Sequence, residues 1–152
     1  DSDYSIGKIK NSIFTDIGND AMDFSGSISE LFEISIDGVG DKVLSAGEMS
    51  KISGKHIDII NAEIGITSKD LSEVNLSDVN IKDTRLGFAV FQKKEEYGAG
   101  KAKITGLEMT NVDFIHLVDL NSTLTLNEKD VISKRSKVAD LIYGANFGKS
   151  SK

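Results

Sequence analysis

The 152-residue chain is 39% apolar, sets 24 acidic against 18 basic side chains for a formal charge of -6, and contains no cysteine and no proline. That length fits one domain with a sizeable core, while the charge argues against general nucleic-acid or anionic-membrane binding, because neutralising phosphates takes a basic face. No apolar run approaches the roughly 20 residues of a membrane-spanning helix, and without cysteine there are neither disulfide staples nor thiolate metal sites.

From the N-terminus, "DSDYSIGKIKNSIF" enters a strand-like pattern with no helix cap and no basic-then-apolar leader. The chain is therefore expected to be an excerpt of a longer protein. Five units follow, beginning near Ile9, Ile34, Ile57, Val79 and Leu107 with "NSIFTD", "EISIDG", "HIDIIN", "VNIKDT" and "LEMTNV". Turn-forming Asp16, Gly38, Asn61, Asp83 and Asn111 close them in turn. A glycine-containing segment comes next in each of four units: "IGNDAMDFSGS", "VGDKVLSAGEMS", "IGITSKDLS" and "LGFAVFQKK". A third short stretch recurs as "SKISG", "SEVNLS" and "GKAKIT".

The spacings share one pitch: Gly18 to Gly40, Ser50 to Ser72 and Gly65 to Gly87 are each 22 residues apart. Each unit holds three period-2 stretches bounded by Gly, Asn, Asp and Ser, a strand signal. Strands this short bury an apolar face only when stacked, and a 20 to 50 residue period indicates a solenoid. The predicted fold is all-β, a right-handed parallel β-helix of about five to six coils at 22 residues per coil. Leu44, Ile66 and Phe88 would form one internal stack, and Ile36, Ile59 and Ile81 another. A β-sandwich of short strands is the competing fold, but it has no reason to repeat its turn chemistry at fixed pitch.

One interval departs from the pitch. Val74 to Ala102 is 28 residues, so Lys93 to Gly100 is read as an excursion from the coil. Coils are assigned to residues 1–129, with "TLTLNE" a partial sixth. Residues 130–147 have Val131, Val138, Leu141 and Ile142 at mixed spacing and are read as a last coil or an amphipathic cap, with 148–152 a disordered tail.

The segments "IGNDAMDFSGS", "VGDKVLSAGEMS", "IGITSKDLS" and "FQKKEEYG" resemble the right-handed parallel β-helix proteins of the pectate-lyase-like superfamily, over roughly residues 9–122. The resemblance implies an extracellular or cell-surface setting and a polysaccharide ligand. It also brings in polysaccharide lyases and glycoside hydrolases, from which this chain departs: "GND" at Gly18 and "GDK" at Gly40 match only part of the hydrolase pattern, and no "GHG" is present. Fold alone does not choose among such relatives.

Strand alternation sets Ile64, Ile66, Phe88 and Val90 inward and Thr67, Lys69, Ala89 and Phe91 outward. Insertions in solenoids fall on one face, often the binding face. Lys69, Asp70, Phe91, Gln92, Lys93 and Tyr97 are thus the candidate ligand residues, with aromatic rings for a sugar face and charged groups for its hydroxyls or carboxylate. Catalytic candidates are Lys69 or Lys93 as a base toward a uronate, beside Asp70, or Asp23 with Glu48 as a hydrolytic pair. A lysine base needs its pKa lowered, and an exposed Lys69 between Asp70 and Glu48 is expected to have it raised.

His56 reads as a surface histidine, and the phase around His116 in "FIHLV" is left open. Neither has the companions of a zinc site. Acidic oxygens in "DSD" and "GND" are the sole candidates for a loose Ca²⁺ site; no other cofactor is indicated. The expected function is a non-catalytic β-helix module, structural or saccharide-binding. Its alternative is the C-terminal part of a lyase or hydrolase acting on acidic polysaccharide. Nucleic acid and membrane insertion are not expected, and unpaired strands at the solenoid ends make self-association a third expectation.

Overall fold

The computed structural model describes residues 1–133 and 135–147; the tail predicted at 148–152 lies outside the described residues. The chain forms a parallel β-solenoid of about six turns with coils of about 22 residues. Its strands are β1 (Ser2–Asp3), β2 (Ile6–Ile17), β3 (Met22–Ser25), β4 (Ile28–Gly47), β5 (Lys51–Lys69), β6 (Glu73–Phe91), β7 (Lys101–Val118), β8 (Thr123–Leu126) and β9 (Lys129–Asp130), followed by one short helix, α1 (Val138–Ile142). Among the described residues no helix is long and apolar enough to cross a membrane.

Long strands make short sides because they fold at left-handed corners. Asn11, Glu33, His56, Asp78 and Gly106 have positive φ, and so do Asp16, Gly38, Asn61, Asp83 and Asn111. The second set is the series of turn residues predicted from the sequence. Asn, Asp and Gly tolerate this conformation best, which is why they recur there. Their side chains also link coils: Asn61 Nδ2 donates to Asp37 Oδ1 at 2.7 Å, and Asn111 Nδ2 to Asp83 Oδ1 at 2.6 Å.

Register follows the repeat. Leu44 pairs with Ile66 and Ile66 with Phe88, while Ile36 pairs with Ile59 and Ile59 with Ile81. Both predicted stacks therefore stand inside the solenoid. Between β4 and β5 the offset slips at a bulge between Val39 and Lys42, and between β6 and β7 it widens to 28 residues, as at Glu73↔Lys101, to admit the excursion.

The repeated glycines and serines have separate reasons. A Cβ on Gly40 would stand 2.8 Å from the Gly18 carbonyl oxygen, and one on Gly65 2.6 Å from that of Gly87, so backbones of successive coils meet too closely for a side chain. At another corner the Ser27 amide donates to Ser50 Oγ at 3.0 Å and the Ser50 amide to Ser72 Oγ at 3.1 Å, a ladder of fully buried hydroxyls. These bonds satisfy amides that the turn takes out of the sheet.

The two ends differ. β2 pairs only with β4, leaving its outer edge open among the described residues, with Ile6 85% and Ile13 78% exposed. At the other end β9 turns back antiparallel on β8, and the Asn127 side chain accepts from the Leu107 amide and donates to the Leu107 carbonyl. Beyond it, residues 135–147 form a strap along the outside, and α1 packs on one lateral face of the solenoid.

Candidate functional site

The strap covers a face whose chemistry changes from coil to coil. One outward column runs Lys42, Ile64, Leu86, Phe114; the next runs Asp23, Ser45, Thr67, Ala89, Leu117. Each is polar toward the N-terminus and apolar toward the C-terminus. The apolar half forms a second core, in which Ile64, Leu86, Ala89, Phe91 and Leu117 pack against Val138, Ile142 and Phe147 of the strap.

Two sequence expectations change here. Ile64, predicted inward, lies in this outer cluster: it pairs with Lys42 just past the register shift that follows Val39, where strict alternation is lost. Phe91 does point outward, yet it has no exposed surface and offers no stacking face.

The strap's α1 ends at the boundary, placing Tyr143 against the polar half. Tyr143 remains 40% exposed. Its ring is edge-on to Phe91 at 6.1 Å between centroids, with the Lys93 ammonium 4.3 Å and the Lys42 ammonium 5.5 Å from its centre. Lys42 is held by Asp41 at 2.9 Å and Asp20 at 3.3 Å and is almost wholly buried. Because Asp20 is taken up by Lys42, it is not a free calcium ligand; among the described residues no group of three or more acidic or histidine side chains is placed to hold a metal.

Lys69 lies across Gly47. A Cβ on Gly47 would meet the Lys69 Cε at 3.1 Å, so the missing side chain leaves the channel through which the ammonium reaches Ser45 Oγ at 2.6 Å. Burial lowers the Lys69 pKa, the ammonium groups of Lys42 and Lys93 lower it further, and Asp23 and Asp20 oppose them. The sequence reading expected the reverse, having placed Lys69 in solvent between Asp70 and Glu48. Asp20 is shifted up, chiefly by burial against the pull of Lys42. Tyr143 is shifted up by burial and then by the carboxylates of Asp20, Asp41, Asp70 and Asp23, so its hydroxyl stays neutral. Beneath them the Thr67 hydroxyl is buried without a hydrogen-bond partner among the described residues.

The remaining candidates build the excursion. Asp70 is fully buried, and its Oδ1 accepts from the amides of Lys93 at 2.7 Å and Lys94 at 2.8 Å. Gln92 Nε2 donates to the carbonyls of Lys94 and Tyr97. Glu48 binds the Lys94 ammonium and accepts from the Tyr4 hydroxyl at 3.2 Å; its pKa is held down first by Lys94. Tyr97 sits beneath Lys94 at 6.0 Å. No hydrogen bond or ion pair among the described residues links Glu48 with Asp23. Of the predicted residues, then, Lys69, Lys93 and Asp23 come together, while Asp70, Gln92 and Glu48 hold the loop.

No family model matches the chain, and no curated protein and no solved structure matches it.

Asp41, Lys42 and Tyr143 were absent from the candidates read from the sequence, and Asp20 was among them only as an oxygen ligand of a loose Ca²⁺ site. A signal for Tyr143 was nevertheless there. Outward positions that are apolar, Ala89 and Phe91, need a cover, and the strap was the amphipathic segment left to supply it. As chemistry, the site combines three ammonium groups, three carboxylates and one half-open aromatic ring, with several of the charges fixed by internal partners.

Proposed function

We propose that this chain is a non-catalytic, saccharide-binding β-helix module of the pectate-lyase-like kind, from a secreted or surface protein, and that it takes a short acidic saccharide at the Tyr143 site. The observation that carries this reading is an aromatic residue, Tyr143, left 40% exposed and ringed by charges that are already positioned. A sugar stacks an apolar face on such a ring while its hydroxyls bridge carboxylates and ammonium groups. Lys93, exposed and without a carboxylate partner among the described residues, is the natural contact for a uronate carboxylate. Groups held in place before binding lose little entropy when the ligand arrives.

The test is titration calorimetry with uronate di- and trisaccharides. Lys93→Ala and Tyr143→Ala are expected to weaken binding at least tenfold while circular dichroism stays that of the parent. Affinity unchanged in both variants would refute the site.

One observation favours a second reading. A lysine whose pKa is lowered by burial is a better base than a solvated one, and Lys69 is such a lysine. In a β-elimination its neutral amine would take the proton α to the uronate carboxylate, the carbon–oxygen bond to the leaving sugar would break as the double bond forms, and solvent would protonate the leaving oxygen. An unsaturated product absorbing in the ultraviolet, lost in Lys69→Met, would establish this reading over simple binding.

A further inference from the structure

The C-terminal end of the solenoid has chemistry of its own. β8 pairs with β7 only from Lys101 to Ile104, so among the described residues the last side of β7, up to Val118, has no strand beyond it. Asp119 donates its amide back to the Val90 carbonyl at 2.9 Å, so on an alternating strand the Val118 amide and carbonyl face the opposite way, off the end. The Ser133 hydroxyl donates to that carbonyl, and the amide is left as an edge donor. A column of glycines shows what can reach this edge. A Cβ on Gly65 would stand 2.6 Å from the Gly87 carbonyl oxygen, and one on Gly87 2.8 Å from that of Ile115, so a Cβ here points along the axis into the next coil. Ile115 is the next member of the column, and it is 51% exposed. Its side chain stands where the backbone of a further coil would run, which leaves the edge beside it to a small molecule and not to a strand.

Beside Ile115 lies a cavity of about 250 Å³ lined by His116, Val118, Ile132, Ser133 and Arg135. It is smaller than the roughly 300–1,000 Å³ of a pocket for a drug-sized ligand. Val118 and Ile132 make its apolar walls, and Arg135 brings a charge. The backbone at Arg135 is fixed, its carbonyl accepting from the Leu120 amide at 2.9 Å and its amide donating to Ser133 Oγ at 3.2 Å. Its guanidinium has no ion-pair partner among the described residues. Asp119, which bridges to Arg135 through the backbone, is already taken: its Oδ2 accepts from the Gln92 amide at 3.2 Å and its Oδ1 from the Val138 amide at 2.9 Å. Burial lowers the His116 pKa, a bond to its own backbone opposes this, and Arg135 lowers it further. The imidazole is therefore neutral at pH 7, and Arg135 is the fixed charge of the cavity.

We propose that this cavity binds a small aliphatic carboxylate, its carboxylate on the Arg135 guanidinium and the Val118 amide, and its short apolar part against Val118 and Ile132. The planar fork of an arginine takes a carboxylate through two parallel hydrogen bonds, and the edge amide adds a third donor. One fixed cation balances a monoanion, whereas a phosphate dianion would keep an uncompensated charge among apolar walls. A sugar fits no better, because its hydroxyls would lose hydrogen bonds against Val118 and Ile132. Once bound, the carboxylate favours the charged form of His116, whose pKa then rises. The cavity shares no residue with the Tyr143 site, and neither reading depends on the other.

The experiment is titration of the 152-residue chain with butyrate, beside 1-butanol and inorganic phosphate, followed by NMR of the imidazole resonances. The chain has two histidines, and His56, set at a corner beside Phe32 and Asp78, serves as the internal reference. Butyrate is expected to move the His116 resonances to saturation and raise their titration midpoint, with His56 unmoved and 1-butanol without effect. Arg135 is exposed, so Arg135→Gln should keep the parent's circular dichroism while weakening butyrate at least tenfold. Arg135→Lys, which keeps the charge and loses the fork, should fall between. The proposal is overturned if butyrate leaves His116 unmoved, if 1-butanol moves it equally, or if phosphate binds there more tightly than butyrate; these comparisons need no variant. Undiminished butyrate binding in a folded Arg135→Gln would overturn it as well.

Discussion

At the scale of single residues, the two telling positions are a lysine and a histidine whose surroundings disfavour their charged forms. Lys69 is depressed by burial and by the neighbouring ammonium groups, against Asp23 and Asp20. Followed by NMR of the lysine Cε resonances, it should titrate below the other lysines. Asp23→Asn should move it lower, because a supporting carboxylate is lost, and Lys93→Met higher, because a repelling charge is lost. A Lys69 resonance that titrates with the solvent-exposed lysines would show that the amine is not held as described. His116 continues the internal column of Phe88, which settles the phase that the sequence left open: His116 and Val118 point inward and Leu117 outward. Burial lowers its pKa from the ordinary value of 6.5. Below that value the unfolded chain takes up a proton that the folded histidine resists, so stability falls as pH drops through about 6.5 toward the folded pKa. The melting temperature should therefore decline less between about pH 7.5 and 5.5 in His116→Leu than in the parent.

At the scale of elements, the strap and the outer cluster depend on one another. Phe91 is fully buried between β6 and the strap, while Phe114, one coil on in the column of Leu86, is 49% exposed beside Phe147. Phe91→Ala should destabilise the protein by about 3–5 kcal/mol, since it removes a large buried ring and leaves a cavity. Phe114→Ala should cost clearly less, and denaturant titration of the two variants distinguishes them. Equal losses would mean that the strap does not seal this face. The same contrast explains what could be read in advance. Periodicity and turn chemistry are local, so the coils, both internal stacks and one of the two series of corner residues were visible in the sequence, whereas the series of Asn11, Glu33, His56, Asp78 and Gly106 was not. The strap's docking is not local. Nothing near Tyr143 in the sequence says that it meets Lys42 and Lys93, and strict alternation misplaced Ile64 because a bulge is a single-residue event. Lys69 and Phe91 were both rightly set outward; what covers them came from elsewhere in the chain.

At the scale of the whole molecule, stability in a solenoid is close to a sum over coils and their interfaces, so the ends decide how such a body meets its own copies. Here they are unlike. β9 folds antiparallel onto β8, and Asn127 occupies both hydrogen-bonding groups of Leu107 in the manner of a further strand. Among the described residues the β2 edge has no such cover, and its outer coil leaves Tyr4 76%, Ile6 85% and Ile13 78% exposed. An open edge of parallel strand is a template for another strand. If both ends were open, copies would add head to tail and grow without limit; with one end closed, association can only bring two open edges together and then stops. The 152-residue chain should thus show a concentration-dependent monomer–dimer equilibrium in sedimentation velocity, with no larger species. Ile13→Lys, which places a charge at the open edge without touching the core, should shift that equilibrium to monomer and leave circular dichroism unchanged. Species beyond the dimer would mean that the β8–β9 closure fails as a cap, and a dimer indifferent to Ile13→Lys would place the contact on a lateral face instead.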